Sequence, residues 1–391
     1  MERFELPEGW EWRTLGDICT PPKNWSYKTD PREKIRYIEI SSIDNAGKVI
    51  TEPRDVLGAS APSRAKQVVQ ENDVLFGTTR PYLRNVAIVP AKLNNEICST
   101  GFCVLRPSPE SVISEWLFFA AQSDLVIEQV IPGQEKGAYP AVSNSEVLAA
   151  EIPVPPPLEQ RRLVARIQAQ TSRVEAISKA QQELIDDMRG TLAGYYAEIS
   201  AVAEWKPLRE VAPQARRPVT VRAGQSYPEL GIRSFGKGTF HKPAISAEQL
   251  GSKRLYHIHP GDLIFNNVFA WEGAVAVVRP EDAGRVGSHR FITCVPKPKA
   301  ATTPFLYFHF TTEQGLHDLG DASPGGAGRN RTLGLNKLAA IKVPIPDYDK
   351  QIVFARLWEK AQEMRRLQDD LTADLNAYVP ALLAKAFRGE L

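Results

Sequence analysis

The apolar positions along the chain follow two alternating textures. Over residues 1–157, and again over 201–347, short apolar runs such as AIVPA, GFCVLRP and AVAVVRP are separated by the turn formers NDV, PGD, NAG and GKG, a pattern that predicts short strands. One run in the first stretch, SEWLFFAAQSDLVIEQV, has the length and period of a helix. From 158 to 200 the texture changes: Leu163, Ile167, Val174, Ile177, Leu184, Met188 and Tyr195 recur at steps of three, four or seven. From 348 to 391, Leu357, Met364, Leu371 and Tyr378 are spaced by seven and flanked by Ala361, Leu367, Leu375 and Leu382. Sustained heptads of this kind predict two long helices with a coiled-coil seam. The prolines at 153–157 and 344–346 mark where each helix begins, because proline is tolerated only at or before a first turn.

The alternation is an internal repeat. WRTLGDI (12–18) matches WKPLREV (205–211) at an offset of 193. QENDVLF (70–76), STGFCVL (99–105) and WLFFA (116–120) match HPGDLIF, SHRFITC and FLYFH, each at an offset of 189. PVPPPLEQRRLVARI (153–167) is echoed by PIPDYDKQIVFARL (344–357), the shared Ala-Arg at an offset of 190. Landmarks in the same order at nearly constant offset predict a duplicated unit. The expected fold is α+β: two similar mixed domains (1–157 and 201–347) separated by a long two-helix coiled coil (158–200 and 348–391). If the two seams bury each other, the helices run antiparallel, giving a rod of roughly 60 Å and a pseudo-two-fold axis.

Net charge is only +2, but its distribution changes the picture. Residues 1–158 carry 16 Lys and Arg against 21 Asp and Glu, whereas 201–346 carry 19 against 11 and hold all six histidines. The later segment suits a polyanion or is a drifting surface charge. Cys19, Cys98, Cys103 and Cys294 contain no CxxC pair and are expected as free thiols. The chain has no run of 18 apolar residues and opens on MERFELPEGW, without an apolar leader, so no membrane partner and a cytoplasmic location are expected.

Signals of catalysis are weak. GxxxxGK[ST], HExxH and HxE…CxxC motifs are absent, and no metal site is expected. Glu204-Trp205-Lys206 has the E-x-K spacing of a metal-dependent nuclease, but Trp205 is the repeat partner of Trp12, where the matching triplet ends in Arg13. Polar and aromatic clusters sit instead in loops after strands. GTTRPYLRN supplies Thr78, Thr79, Arg80, Tyr82, Arg84 and Asn85, and GQEKGAYP supplies Lys136 and Tyr139. In the second half, Asn266, Asn267 and Trp271 are joined by His289, Arg290, Arg329, Asn330 and Arg331. Arginine reads guanine and asparagine reads adenine in the major groove, while threonine and backbone amides hold phosphate. The bland alternative for each loop is a solvated charged turn. A ligand with two similar sites along one axis suits such a duplicated body, and duplex DNA is the obvious candidate.

With these marks in hand, the chain resembles the specificity subunit of a type I restriction-modification system. The likeness covers nearly the whole chain and rests on LPEGWEWRTLGDI, the GDLIF-type passage in each half, PVPPPLEQRRLVARI and the closing LLAKAFRGEL. The second helix entry, PIPDYDKQ, departs from the usual Pro-Pro-Leu-x-Glu-Gln pattern, and Asp73 lacks the expected preceding glycine. The resemblance implies two target recognition domains, each reading half of a bipartite asymmetric site in double-stranded DNA. It implies helices that fix the gap and dock two modification subunits, with restriction/translocase subunits joining for cleavage. No cofactor is then bound by this chain itself. S-adenosylmethionine is expected on the adenine-methylating partner. Rival readings are a methylation-only or type IIB-like specificity subunit, a scaffold that binds only proteins, and a nuclease at Glu204–Lys206.

Overall fold

The computed structural model describes residues 3–26, 28, 31–131, 141–251, 253–325 and 331–391. The chain forms two compact units, one of Met1–Ala180 with Asp370–Leu391 and one of Gln181–Asp369. Each takes in part of both long helices, Pro157–Ala201 and Tyr348–Phe387.

The two units share one topology. In the first, one sheet runs Cys19–Thr20, Phe102–Pro107, Val74–Gly77, Val86–Ile88 in spatial order, and the other runs Arg54–Leu57, Lys34–Ile38, Ile97–Ser99, Ala65–Val68. In the second, the matching sheets run Gln214–Ala215, Phe291–Cys294, Leu263–Asn266, Val275–Val277 and Thr239–Ser246, Ser226–Ile232, Val286–Ser288, Leu255–His257. The central runs of the repeated motif, Val74-Leu75-Phe76 and Leu263-Ile264-Phe265, are buried on both faces, so they are apolar without alternation. Their preceding aspartates are structural. Asp73 accepts from the Gln70 amide and a bidentate Arg106, and Asp262 accepts from the His259 amide and a bidentate Arg217. The two arginines come from different places in their units, so the ion pair recurs although the sequence around it does not.

The passages that open each long helix have a shared role. Glu11–Thr14 pairs antiparallel with Glu151–Val154, setting Trp12 opposite Pro153; Glu204–Pro207 pairs with Lys342–Ile345, setting Trp205 opposite Pro344. The glutamine that follows is fully buried in both copies. Gln160 Oε1 accepts from the Ile113 amide at 2.9 Å while its Nε2 donates to the carbonyls of Ser111 and Pro155. Gln351 does the same with the Thr302 amide and the carbonyls of Ala300 and Pro346. Each glutamine satisfies backbone groups that would otherwise be orphaned where a strand turns into a helix.

Two expectations are corrected. SEWLFFAAQSDLVIEQV is not one helix but two, Ser114–Gln122 and Asp124–Val130. Ser123 sits between them with extended backbone and its hydroxyl accepts from the Val126 amide; Thr312 breaks the matching helix pair of the second unit. A side chain that caps the next helix outweighs apolar periodicity running through it. The heptad seam is also uneven. In the first unit, Leu163 and Ile167 pack with Leu382, Leu383 and Phe387, and Trp116 closes the cluster 4.7 Å from the Phe387 ring. Arg162 donates to the Leu391 carbonyl and the Tyr378 hydroxyl to Gln170, so the helices run antiparallel. In the second unit, Leu192 and Ile199 pack with Phe354 and Phe305, with Tyr195 and Leu357 at the edge. Between these ends the positions are wet: Val174, Met188 and Leu375 are half-buried, and Ile177, Leu184, Met364, Leu371 and Tyr378 are exposed. At the ends, aromatic residues of the short helices complete the burial. The middle apolar positions are neighboured in sequence by Gln, Asp, Glu and Arg, and none belongs to a buried apolar cluster.

Candidate nucleic-acid interface

In the first unit the chain leaves strand Val74–Gly77 and folds back at once. The Gly77 amide donates to the Asn85 carbonyl at 2.8 Å, and a Cβ at position 77 would lie 3.0 Å from that oxygen, so only glycine fits without movement. Thr78 is buried and its hydroxyl donates to the Gly101 carbonyl, holding the loop base rather than facing outward. Thr79 bridges to Ala141, where the chain re-enters after 132–140. Arg80 and Arg84 both adopt the left-handed conformation, at φ 52°, and bracket Pro81-Tyr82-Leu83. Non-glycine residues held there are strained, and such strain concentrates at functional loops. Tyr82 is 51% exposed at the tip. Arg84 is ion-paired with Asp124.

The loop is pinned by a turn that sequence reading left as punctuation. Asn45 Nδ2 donates to the Leu83 carbonyl at 2.8 Å and Lys48 Nζ to the Arg84 carbonyl at 2.7 Å. Burial, with the Arg84 charge beside it, pushes the Lys48 ammonium down to about 8, opposed by Asp44. Lys136 and Tyr139 lie outside the described residues.

The second unit builds the matching cluster from other side chains. The Asn267 amide donates to the Arg290 carbonyl and its own carbonyl accepts from Leu333, as Thr78 does with Gly101 and Val142 in the first unit. This brings the turn carrying exposed His289 and Arg290 against Asn266 and Asn267. The Asn266 Oδ1 accepts from the Val268 amide, and the Trp271 indole donates to the Val268 carbonyl. The Arg331 guanidinium stacks 5.2 Å from the Trp271 ring centroid. Arg329 and Asn330 lie outside the described residues. The turn 233–238 is bound to the segment through the Phe235 and Gly236 amides, which donate to the carbonyls of Glu272 and Gly273. Glycine-rich turn chemistry predicts such a turn, but only tertiary structure reveals what it touches.

Elsewhere, Lys206 pairs with Glu204 at 2.9 Å, and among the described residues no cluster of three or more His, Cys, Asp or Glu is placed to hold a metal ion. The four cysteines are free; burial pushes the thiols of Cys19, Cys103 and Cys294 up to about 12 and that of Cys98 higher still. Among the described residues, no helix is long and apolar enough to cross a membrane.

One fold is thus used twice, each copy carrying a cationic and aromatic loop cluster. Residues 7–185 match the family described as the type I restriction modification DNA specificity domain. The whole chain is similar to the HsdS subunit from Thermoanaerobacter tengcongensis, at 28% identity with 99% of each chain covered and a TM-score of 0.61. It is similar to a chain solved for the complex assembly and conformational transition of the type I R-M system, at 27% identity over 100% of both, with a TM-score of 0.72. The specificity subunit of the type I restriction enzyme HindI of Haemophilus influenzae is 22% identical over 197 residues, 49% of this chain and 42% of that relative's length. The first part of the chain thus matches the specificity-domain family of type I restriction-modification systems, and the whole chain is similar in fold to HsdS subunits.

Proposed function

We propose that the chain reads a bipartite, asymmetric DNA site, one half per unit, and carries no catalytic centre of its own. The two long helices dock two modification subunits and set the gap between half-sites. Those partners bind S-adenosylmethionine and methylate adenine, and restriction/translocase subunits join the same complex for cleavage. What carries this reading is that one backbone frame, Thr78 with Gly101 and Val142 or Asn267 with Arg290 and Leu333, presents two different side-chain sets. A common frame with different side chains suits two half-sites of different sequence. Exchanging Thr79, Arg80, Tyr82, Arg84 and Asn85 for another set, in the complex with its modification subunits, tests it. The altered methylation site should change in one half only; relaxation of both halves together would contradict independent reading.

A further inference from the structure

Phe235 is unexplained by folding. Its side chain is 72% exposed, so it contributes little burial. Its backbone lies at φ 62°, where a non-glycine residue is strained, although Gly236 and Gly238 beside it show that the turn accepts glycine. Despite the strain the turn is firmly held. The Phe235 amide donates to the Glu272 carbonyl at 2.7 Å, Gly236 to Gly273 at 2.9 Å, the Tyr307 hydroxyl to the Gly236 carbonyl at 2.8 Å, and the Ser234 hydroxyl to the Glu272 carboxylate at 3.1 Å. Glu272 and Gly273 belong to the same segment as Asn266, Asn267 and Trp271, so the backbone that carries the ring is fixed relative to the candidate interface.

The surroundings are cationic. Lys237 Nζ lies 6.0 Å from the Phe235 ring. Behind the tip, Phe240 lies flat on Gly231, where a Cβ would meet its ring at 2.2 Å, with Arg233 and Lys242 each over the Phe240 ring at 5.1 and 6.0 Å. The first unit has a counterpart in plan: an exposed Tyr82 and Leu83 between left-handed Arg80 and Arg84, pinned by a turn at the same place in its fold.

We propose that Phe235 is the apolar contact by which the second unit bears on base pairs of its half-site, with Lys237 and Lys242 on the flanking phosphates. This rests on the DNA-specificity reading above. An exposed ring on a firmly held, strained turn between cations is suited to press on a base step, since stacking supplies affinity and phosphate contacts supply register.

The test uses the complex with modification subunits and a labelled duplex carrying the site methylated in the host, titrated over a range of salt. Phe235→Ala and Phe235→Gly should weaken cognate binding by about tenfold with the slope of log Kd against log salt unchanged. Phe235→Gly should also leave the chain equally or more heat-stable, because it relieves the strain. Lys237→Gln and Lys242→Gln should each lower that slope by about one. Binding by both Phe235 variants within about twofold of wild type, well inside the effect of a lost stacking contact, overturns the proposal alone. A wild-type complex that fails to distinguish the cognate duplex from a scrambled one overturns the specificity reading itself, and the proposal with it.

Discussion

Gln160 and Gln351 show what a single side chain does here. Each is buried and bonded to three backbone groups, so truncation leaves those groups without partners. Gln160→Leu or Gln351→Leu should cost about 2–4 kcal/mol, read as a shift in the denaturant midpoint with the slope unchanged. His309 makes a different prediction. It is fully buried in the second unit, its Nδ1 is 2.7 Å from the Tyr196 hydroxyl and its Nε2 has no partner, and burial pushes it down to about 4. Between its ordinary value near 6.5 and 4, the unfolded chain binds the proton and the folded one does not. Stability from this site is therefore complete above the ordinary value and falls as pH drops toward 4, by up to about 3 kcal/mol. His309→Leu should flatten the pH dependence of the melting temperature over that window; an unchanged profile would contradict the assignment. The repeat partner of His309 is Ala120, so the first unit has no such group.

At the scale of elements, what the sequence made legible followed from strong local signals. Proline-marked helix entries, heptads and turn-bounded apolar runs each rest on a few residues and survive folding. The break at Ser123 was hidden because a capping hydroxyl is one atom within a long apolar pattern. The pinning of the Arg80–Asn85 loop by Asn45 and Lys48 was hidden because the partners are almost forty residues apart. The exposed middle of the seam was hidden because periodicity shows which face is apolar, not how completely it is covered. That exposure yields a prediction that separates stability from assembly. Leu371→Glu should change the stability of the isolated chain by less than about 1 kcal/mol, because Leu371 is already 41% exposed. The same change should weaken the complex with modification subunits, seen as dissociation on size-exclusion chromatography. Leu383→Glu, placed in the dry end of the first unit, should instead unfold it.

For the whole molecule, duplication is the organising fact. It explains why Pro-x-Pro, the GDLIF-type passage and a buried glutamine appear twice, since each copy repeats one strand pairing and one helix entry. It also separates what must be kept from what is free to differ: the backbone frame of the loops recurs while Thr78, Arg80 and Tyr82 are replaced by Asn267, Phe269 and Trp271 at the equivalent positions of the other copy. The charge of the two halves differs as well, +8 over residues 201–346 against −5 over 1–158, so salt should weaken contacts of the second half-site more steeply. The most direct measurement is to co-express the chain with its modification subunit and map methylated adenines across the host genome. A single split motif, two short specified blocks around a fixed gap, is the predicted result. Methylation at a continuous undivided motif, or none above the control with both proteins soluble and associated, would contradict a two-unit reader of DNA.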